Sequence, residues 1–181
     1  MKTHLFPALK LTLLSVVFFS VIYPAVVWGI AQLSPTKGNV AWFEHKGKVV
    51  GAKLIGQSFT QDQYFQSRPS AAGYNAASSV GSNKGPTNAD YLKEVQARID
   101  TFLVHNPGIQ KNQIPADLVT ASGSGLDPDI SVQGALVQIP RIARIRHISE
   151  EQLQQLVKIH TQRSFVGGVE TVNVLALNAA L

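Results

Sequence analysis

Leu11–Leu33 reads LTLLSVVFFSVIYPAVVWGIAQL, and this run decides the architecture of the chain. No charged side chain occurs between Lys10 and Lys37. As a helix rising about 1.5 Å per residue, the run reaches about 34 Å, enough to cross a hydrocarbon core of roughly 30 Å. No second run of this kind follows it in the sequence. The sequence therefore predicts one membrane helix carrying a soluble domain over residues 34–181. A single helix cannot enclose a pathway, so any membrane function is shared with other chains.

The competing reading is a secretory signal. Lys2, His4 and Lys10 would form its basic start, and Gly29-Ile-Ala31 a small-residue cleavage site. Signal cores usually run about 7–15 residues, and this one is longer. Trp28 would also sit beside the cut. A retained anchor is the expectation. Lys2 and Lys10 precede the span, which places residues 1–10 in the cytoplasm by the positive-inside rule. Lys37, Lys46 and Lys48 on the far flank weaken that bias without reversing it. Residues 11–33 then cross the membrane and residues 34–181 lie outside the cytoplasm, in the periplasm where a cell has two membranes.

Within the span, Ala25-Val-Val-Trp-Gly29 pairs two small residues four apart, which lets another helix approach closely. Pro24 removes one backbone donor, so the Ser20 carbonyl loses its usual partner. Tyr23 places a hydroxyl at the same depth. Two readings stand: a kinked anchor facing lipid, or a helix docked on partner helices through Ala25 and Gly29.

The chain has no cysteine, which excludes disulfides, thiolate metal sites and Cys nucleophiles. A domain of this size buries a sufficient core without them. The net charge is +5. The bases are scattered except for Arg141, Arg144 and Arg146, and no basic patch interleaved with aromatics suggests nucleic acid.

Beyond the linker Ser34–Asn39, Lys48–Phe59 mixes β-branched residues with glycines and reads as one strand or a small hairpin. Ser67–Asn88 is a long Ser/Gly/Ala/Asn/Pro stretch containing Arg68 and Tyr74, read as an ordered functional loop. Thr87-Asn-Ala-Asp90 resembles a capping box. Leu92, Val95, Ile99, Phe102 and Leu103 follow at helical spacing until His105-Asn-Pro-Gly108. Ile114–Thr120 reads as extended, and Ser122-Gly-Ser-Gly125 as a turn. Ser131 caps a helix that Pro140 kinks or divides. Ser149-Glu-Glu-Gln152 caps a final helix, and Val169–Leu177 suits a closing strand. These elements give an α+β fold, one N-terminal transmembrane helix followed by a small mixed helix/strand domain.

Chemical motifs are sparse. Ser34-Pro-Thr-Lys37 matches S-x-x-K but sits at the membrane exit, without the S-D-N and K-T-G that accompany that nucleophile. Gly81-Ser-Asn-Lys-Gly85 has the glycines of an anion loop but not the G-x-x-x-x-G-K-[ST] order. Ser122-Gly-Ser-Gly125 does not fit G-x-S-x-G. His4, His45, His105, His147 and His160 show no close metal-ligand spacing. The three arginines are expected on the solvated face of their helix, or on an anion or acidic partner. No catalytic residue and no metal site is assigned.

Three blocks carry a resemblance. The first joins Tyr64-Phe-Gln-Ser-Arg-Pro-Ser-Ala71, Tyr74-Asn-Ala-Ala-Ser-Ser79 and Gly81-Ser-Asn-Lys-Gly-Pro-Thr-Asn88. The second is Pro115–Ser131 and the third Gln138-Ile-Pro-Arg-Ile-Ala143. With the span and the closing Val172–Asn178, the chain resembles the C subunits of Kdp-type potassium-transporting P-type ATPases over essentially its whole length. Val80 stands where many members are expected to carry Gly. The resemblance implies a non-catalytic accessory subunit in the bacterial inner membrane. Its implied partners are a potassium-selecting A subunit, an ATP-hydrolysing B subunit and a small F subunit. It implies a role in assembly, and one as a catalytic chaperone raising the ATP affinity of the B subunit. ATP is thus a ligand implied by resemblance alone. ATP is cytoplasmic, whereas the lysine pattern places the Gly/Ser-rich loops outside, and the topology argument is preferred.

Two alternatives from other classes are a membrane-anchored periplasmic enzyme using the Ser-rich loops and a secreted binding domain unrelated to transport. The expected contact surface is the pair of Gly/Ser blocks, Gln66–Asn88 and Ala121–Ser131. Arg68, Ser79, Ser82, Ser122 and Ser124 are its candidate residues, because small polar residues and free backbone donors suit an interface better than a hydrophobic core.

Overall fold

The computed structural model describes residues 2–164 and 167–181, with side chains from His4 onward; Met1, the first of the residues expected in the cytoplasm, lies outside them. The chain divides into two units, up to Ala41 and from Trp42 onward. In the first, α1 (Lys2–Val17) runs through a π turn (Phe18–Ile22) into α2 (Tyr23–Ala31). His4–Ala31 is long and apolar enough to cross a membrane. The π turn is the answer to Pro24. Its ring crowds the Ser20 carbonyl and it has no N–H to offer, so the helix widens and the Tyr23 N–H bonds to the Phe18 carbonyl five residues back. A Cβ added at Gly29 meets nothing within 4 Å, so this face is open in the isolated chain.

The second unit is α+β. It begins with the antiparallel hairpin β1 (Trp42–His45) and β2 (Lys48–Ala52). Lys46 and Gly47, at φ 51° and 74°, form its two-residue turn. Lys48–Phe59, expected as one strand or a small hairpin, holds only the second strand of a hairpin that starts at Trp42 and ends at Ala52. The central sheet is β3 (Asp129–Ser131), β5 (Glu170–Asn173) and β4 (Thr161–Arg163) in the order β3-β5-β4, antiparallel throughout. Around it pack α4 (Val132–Leu136), α5 (Ile139–Arg146), α6 (Glu150–His160) and α7 (Val174–Ala179). The longest helix of this unit, α3 (Ala89–His105), buries only Phe102; Leu92 at its start is 53% exposed.

Local chemistry sets the boundaries. Ser131 caps α4 by accepting from the Gly134 N–H, and Ser149 and Gln152 form the expected capping box on α6. Pro140 divides two helices rather than kinking one, because it sits in the first turn of α5, where its missing N–H costs nothing. Three expectations are corrected. Asn88, not Thr87, caps α3, accepting from the Tyr91 N–H. Ile114–Thr120 is not extended but contains a 3-10 turn at Ala116–Leu118. The closing strand ends at Asn173, whose side chain accepts from the Ala176 N–H and starts α7.

The core gathers Phe65, Ile130, Ile139, Ile142, Leu153, Val157, Val172, Val174 and Leu177, all essentially buried. Phe65 belongs to no helix or strand. Side chains hold its segment in place of a neighbouring strand. Asn178 accepts from the Phe65 N–H at 2.8 Å and donates to the Phe65 carbonyl at 2.9 Å. Gln138 does the same for Gln66, at 2.7 and 3.3 Å. Arg141, expected on a solvated face, is 2% exposed and donates to Asn106 Oδ1, the Asp62 carbonyl and Gln138 Oε1. Burial pushes its guanidinium pKa down, against the opposing pull of the Asp62 carboxylate. Arg146 donates to the Gln63 carbonyl and lies over the Tyr64 ring, so of the three only Arg144 is exposed. Arg141→Ala leaves the buried Asn106 Oδ1 without its donor, removes the bonds to the Asp62 carbonyl and Gln138 Oε1, and is expected to lower the unfolding free energy by about 3 kcal/mol or more. Arg144→Ala is expected to stay within about 0.5 kcal/mol. Urea unfolding of the purified protein measures both.

Candidate functional site

The two Gly/Ser blocks, far apart in sequence, are laced together strand-fashion without forming a sheet. The Ser122 N–H bonds to the Pro69 carbonyl at 3.1 Å and the Val80 N–H to the Ser124 carbonyl at 3.0 Å. Ser70 Oγ donates to the Gly125 carbonyl at 2.6 Å, and Ser79 Oγ to the Ser124 carbonyl at 3.0 Å. Glycine is required at two crossings. A Cβ on Gly81 would lie 2.8 Å from the Gly123 carbonyl oxygen. Gly125, at φ 68°, would place one 2.7 Å from the Val80 carbonyl oxygen. Tyr74 donates its hydroxyl to the Arg68 carbonyl. Lys84 reaches across to Glu94 on α3 and anchors the far end of the first block.

Arg68 is the electrostatic tie. Its Nη1 pairs with Asp127 Oδ2 at 2.8 Å, joining the first block to the second. Its Nε is buried without a hydrogen-bond partner. The guanidinium thus closes its own loop pair. Ser122 is 3% exposed and cannot offer its hydroxyl to another chain, a correction to its place among the surface candidates. Ser79 and Ser124 are exposed and Ser82 is half-buried. Val80, 42% exposed at the same rim, uses only its backbone in the lacing. The partner residue Asp127 was not singled out by pattern. Its signal is local, since an Asp two residues after Gly125 caps a turn through Oδ1 to the Asp129 N–H.

Beside the tie lies a cleft of about 460 Å³ lined by Arg68, Asp117, Asp127, Asp129, Ser131 and Thr171, among others. Burial raises the Asp129 pKa, and the neighbouring Asp127 carboxylate raises it further. Tyr74 is raised as well, chiefly by burial. Asp117 is spoken for, accepting from the Ser131 N–H and hydroxyl at 2.7 and 3.1 Å. The His105 ring meets Asp62 at 2.8 Å, next to Arg141. This arrangement holds loops in fixed shape. It presents backbone groups and small side chains at a rim.

The family model described as "K+-transporting ATPase, c chain" matches residues 5–181. The chain belongs to this family. Among its relatives is the potassium-transporting ATPase KdpC subunit of Flavobacterium psychrophilum, 54% identical over 98% of this chain and 97% of the relative. That of Phocaeicola vulgatus is 56% identical over 95% and 94%. That of Bacteroides thetaiotaomicron is 53% identical over 100% and 98%. The laced blocks, the buried Gln138–Arg141 pair and the closing Asn178 all lie inside the matched region.

Because Asp129 holds its proton more tightly in the folded protein than unfolded, its contribution to stability falls as pH rises from the ordinary 3.8 through the higher folded value. Asp129→Asn removes that penalty. The variant is expected to melt above the parent near neutral pH, and the difference to close below the ordinary carboxylate range. Melting curves across that interval check it.

Proposed function

We propose that the chain is a non-catalytic accessory subunit of an ATP-driven, high-affinity potassium import complex of the bacterial inner membrane. The family match over residues 5–181 carries this reading. The geometry supports it. Ser79 and Ser124 spend their hydroxyls on loop shape, which leaves an exposed rim of fixed form for a partner to meet. In this reading residues 1–10 are cytoplasmic, the apolar helix is a retained anchor and residues 34–181 are extracytoplasmic. Ala25 and Gly29 form the partner-helix contact, and the rim of the two blocks meets the extracytoplasmic face of the potassium-selecting A subunit. The B and F subunits complete the complex. The subunit stabilises the assembly and raises the ATP affinity of the B subunit through it, from across the membrane.

Purification of tagged chain in mild detergent, with its companions identified, tests the proposal. Wild type is expected to bring down the multi-span subunits. Val80→Glu adds charge at the rim while keeping the lacing backbone bond, and Gly29→Leu fills the open helix face. Both are expected to cut recovery of the partners by about tenfold, the effect of roughly 1.4 kcal/mol at an interface. Full recovery with both variants would send the contacts elsewhere.

Topology is a separate expectation. A reporter active only outside the cytoplasm, fused after Leu181, should be active. Activity of a cytoplasmic reporter instead would move the loops to the ATP side and revive direct nucleotide contact.

A further inference from the structure

The longest helix of the soluble unit lies over the domain without closing against it. Between the C-terminal half of α3 and the segment from Phe59 to Pro69 is a cleft of about 430 Å³. Phe59, Phe102 and Leu118 supply its apolar lining. Phe102 and Leu118 are buried, and Phe59 packs on the core. Thr60 on the loop wall and Thr101 on the helix wall are exposed, so the cleft is open to solvent. Two ties hold the walls. Arg98 Nη1 donates to the Val119 carbonyl at 3.1 Å, and His105 meets Asp62 about two helical turns further on.

Between these ties the cleft keeps donors that the domain does not use. Arg98 spends only Nη1; its Nη2 is 3.6 Å from Glu94 Oε2, too far for a hydrogen bond. Gln66 gives its backbone to Gln138, and its side-chain amide bonds to nothing among the described residues. The same holds for the Thr60 hydroxyl. No carboxylate lines the cleft among the described residues. The two nearest are already shared: Glu94 between Lys84 and Arg98, and Asp62 between His105 and Arg141. Asp100 accepts from Gln96 and belongs to neither wall. With His105 neutral, Lys84, Arg98 and Arg141 stand against Glu94 and Asp62, which leaves one positive charge over.

We propose that this cleft receives a carboxylate side chain, flanked by an apolar one, from a loop of the partner subunit that meets the Gly/Ser rim. Nε and Nη2 lie on one edge of a guanidinium, and that edge takes a carboxylate through two parallel hydrogen bonds. Thr60 and Gln66 offer further donors from the facing wall. The floor of Phe59 and Phe102 accepts the neighbouring apolar side chain, the mixture of apolar centre and polar border found at protein interfaces. The surplus positive charge selects an acidic group and rejects a basic one. A protein segment fits better than a free solute, because the cleft is open and continuous with the first Gly/Ser block: Gln66, Ser67 and Pro69 belong to both. The inference rests on the accessory-subunit reading and extends its docking surface from the rim onto α3.

The test uses the full chain in its detergent-purified complex. Thr60→Glu and Thr60→Lys place opposite charges at the same exposed, unbonded position, and melting curves verify that both fold as the parent does. Thr60→Glu is expected to cut recovery of the partner subunits about tenfold, and Thr60→Lys to leave it at or above the parent level. Equal losses, or no loss from either, overturn the proposal. A benzophenone side chain in place of Thr101 gives an independent reading on the other wall. Irradiated in the complex, it is expected to capture a partner peptide that contains Asp or Glu. Replacing that residue by Lys is expected to cut recovery with the parent chain and to restore it with Arg98→Glu. Capture of a peptide without a carboxylate, or of none, overturns the proposal. If these tests fail while Val80→Glu still lowers recovery, the rim reading stands and the cleft is unused. If the parent chain recovers no partner at all, both readings fall.

Discussion

The soluble unit depends on a pair of side-chain amides doing the work of a strand. Asn178 and Gln138 each grip one residue of the segment at Phe65 and Gln66 by both its N–H and its carbonyl. A buried backbone with no sheet partner would otherwise forfeit several hydrogen bonds. With those bonds supplied, Phe65 can sit fully buried among Ile130, Ile142 and Leu177. Arg141 ties the grip to the rest of the domain through Asn106 and the Asp62 carbonyl. Remove the grip and the first Gly/Ser block loses its fixed starting point, because Arg68 follows Phe65 by three residues.

From that starting point the loop geometry follows. Arg68 meets Asp127, and the chain then runs beside Ser122–Gly125, exchanging backbone and hydroxyl bonds. Such a surface has little regular structure and still keeps a definite shape. Its shape is set by glycines at the close crossings and by serines short enough to bond to neighbouring carbonyls. A rim built this way has modest apolar content and keeps its shape through backbone and hydroxyl bonds.

Some of this was legible in the residues alone. The apolar helix was plain from its uninterrupted run, and the caps at Ser131 and Ser149 from local spacing, because both signals depend only on near neighbours. The order in the Gly/Ser blocks was suggested by Arg68 and Tyr74. What sequence hid was long-range pairing. Arg141 looks like a surface residue on a helical wheel, yet its acceptors come from Asn106 and Asp62. Val174–Leu177 has the composition of a strand, but the Asn173 cap turns it into a helix. Ser122 reads as an exposed turn residue and is buried by a segment more than fifty positions upstream. For Arg141 and Ser122 a partner distant in sequence overrode local preference; for Val174–Leu177 a cap next to the segment did so.

The grip on Phe65 has a temporal consequence. Its two halves are 113 residues apart, and Asn178 comes from α7, which is made after every other element of the domain. Contacts of such long sequence separation carry a large loop-closure cost and form late. A chain still being synthesised lacks α7 and cannot complete this core. The shape of the laced blocks, which starts from Phe65, is therefore fixed only when nearly all of the domain has been made.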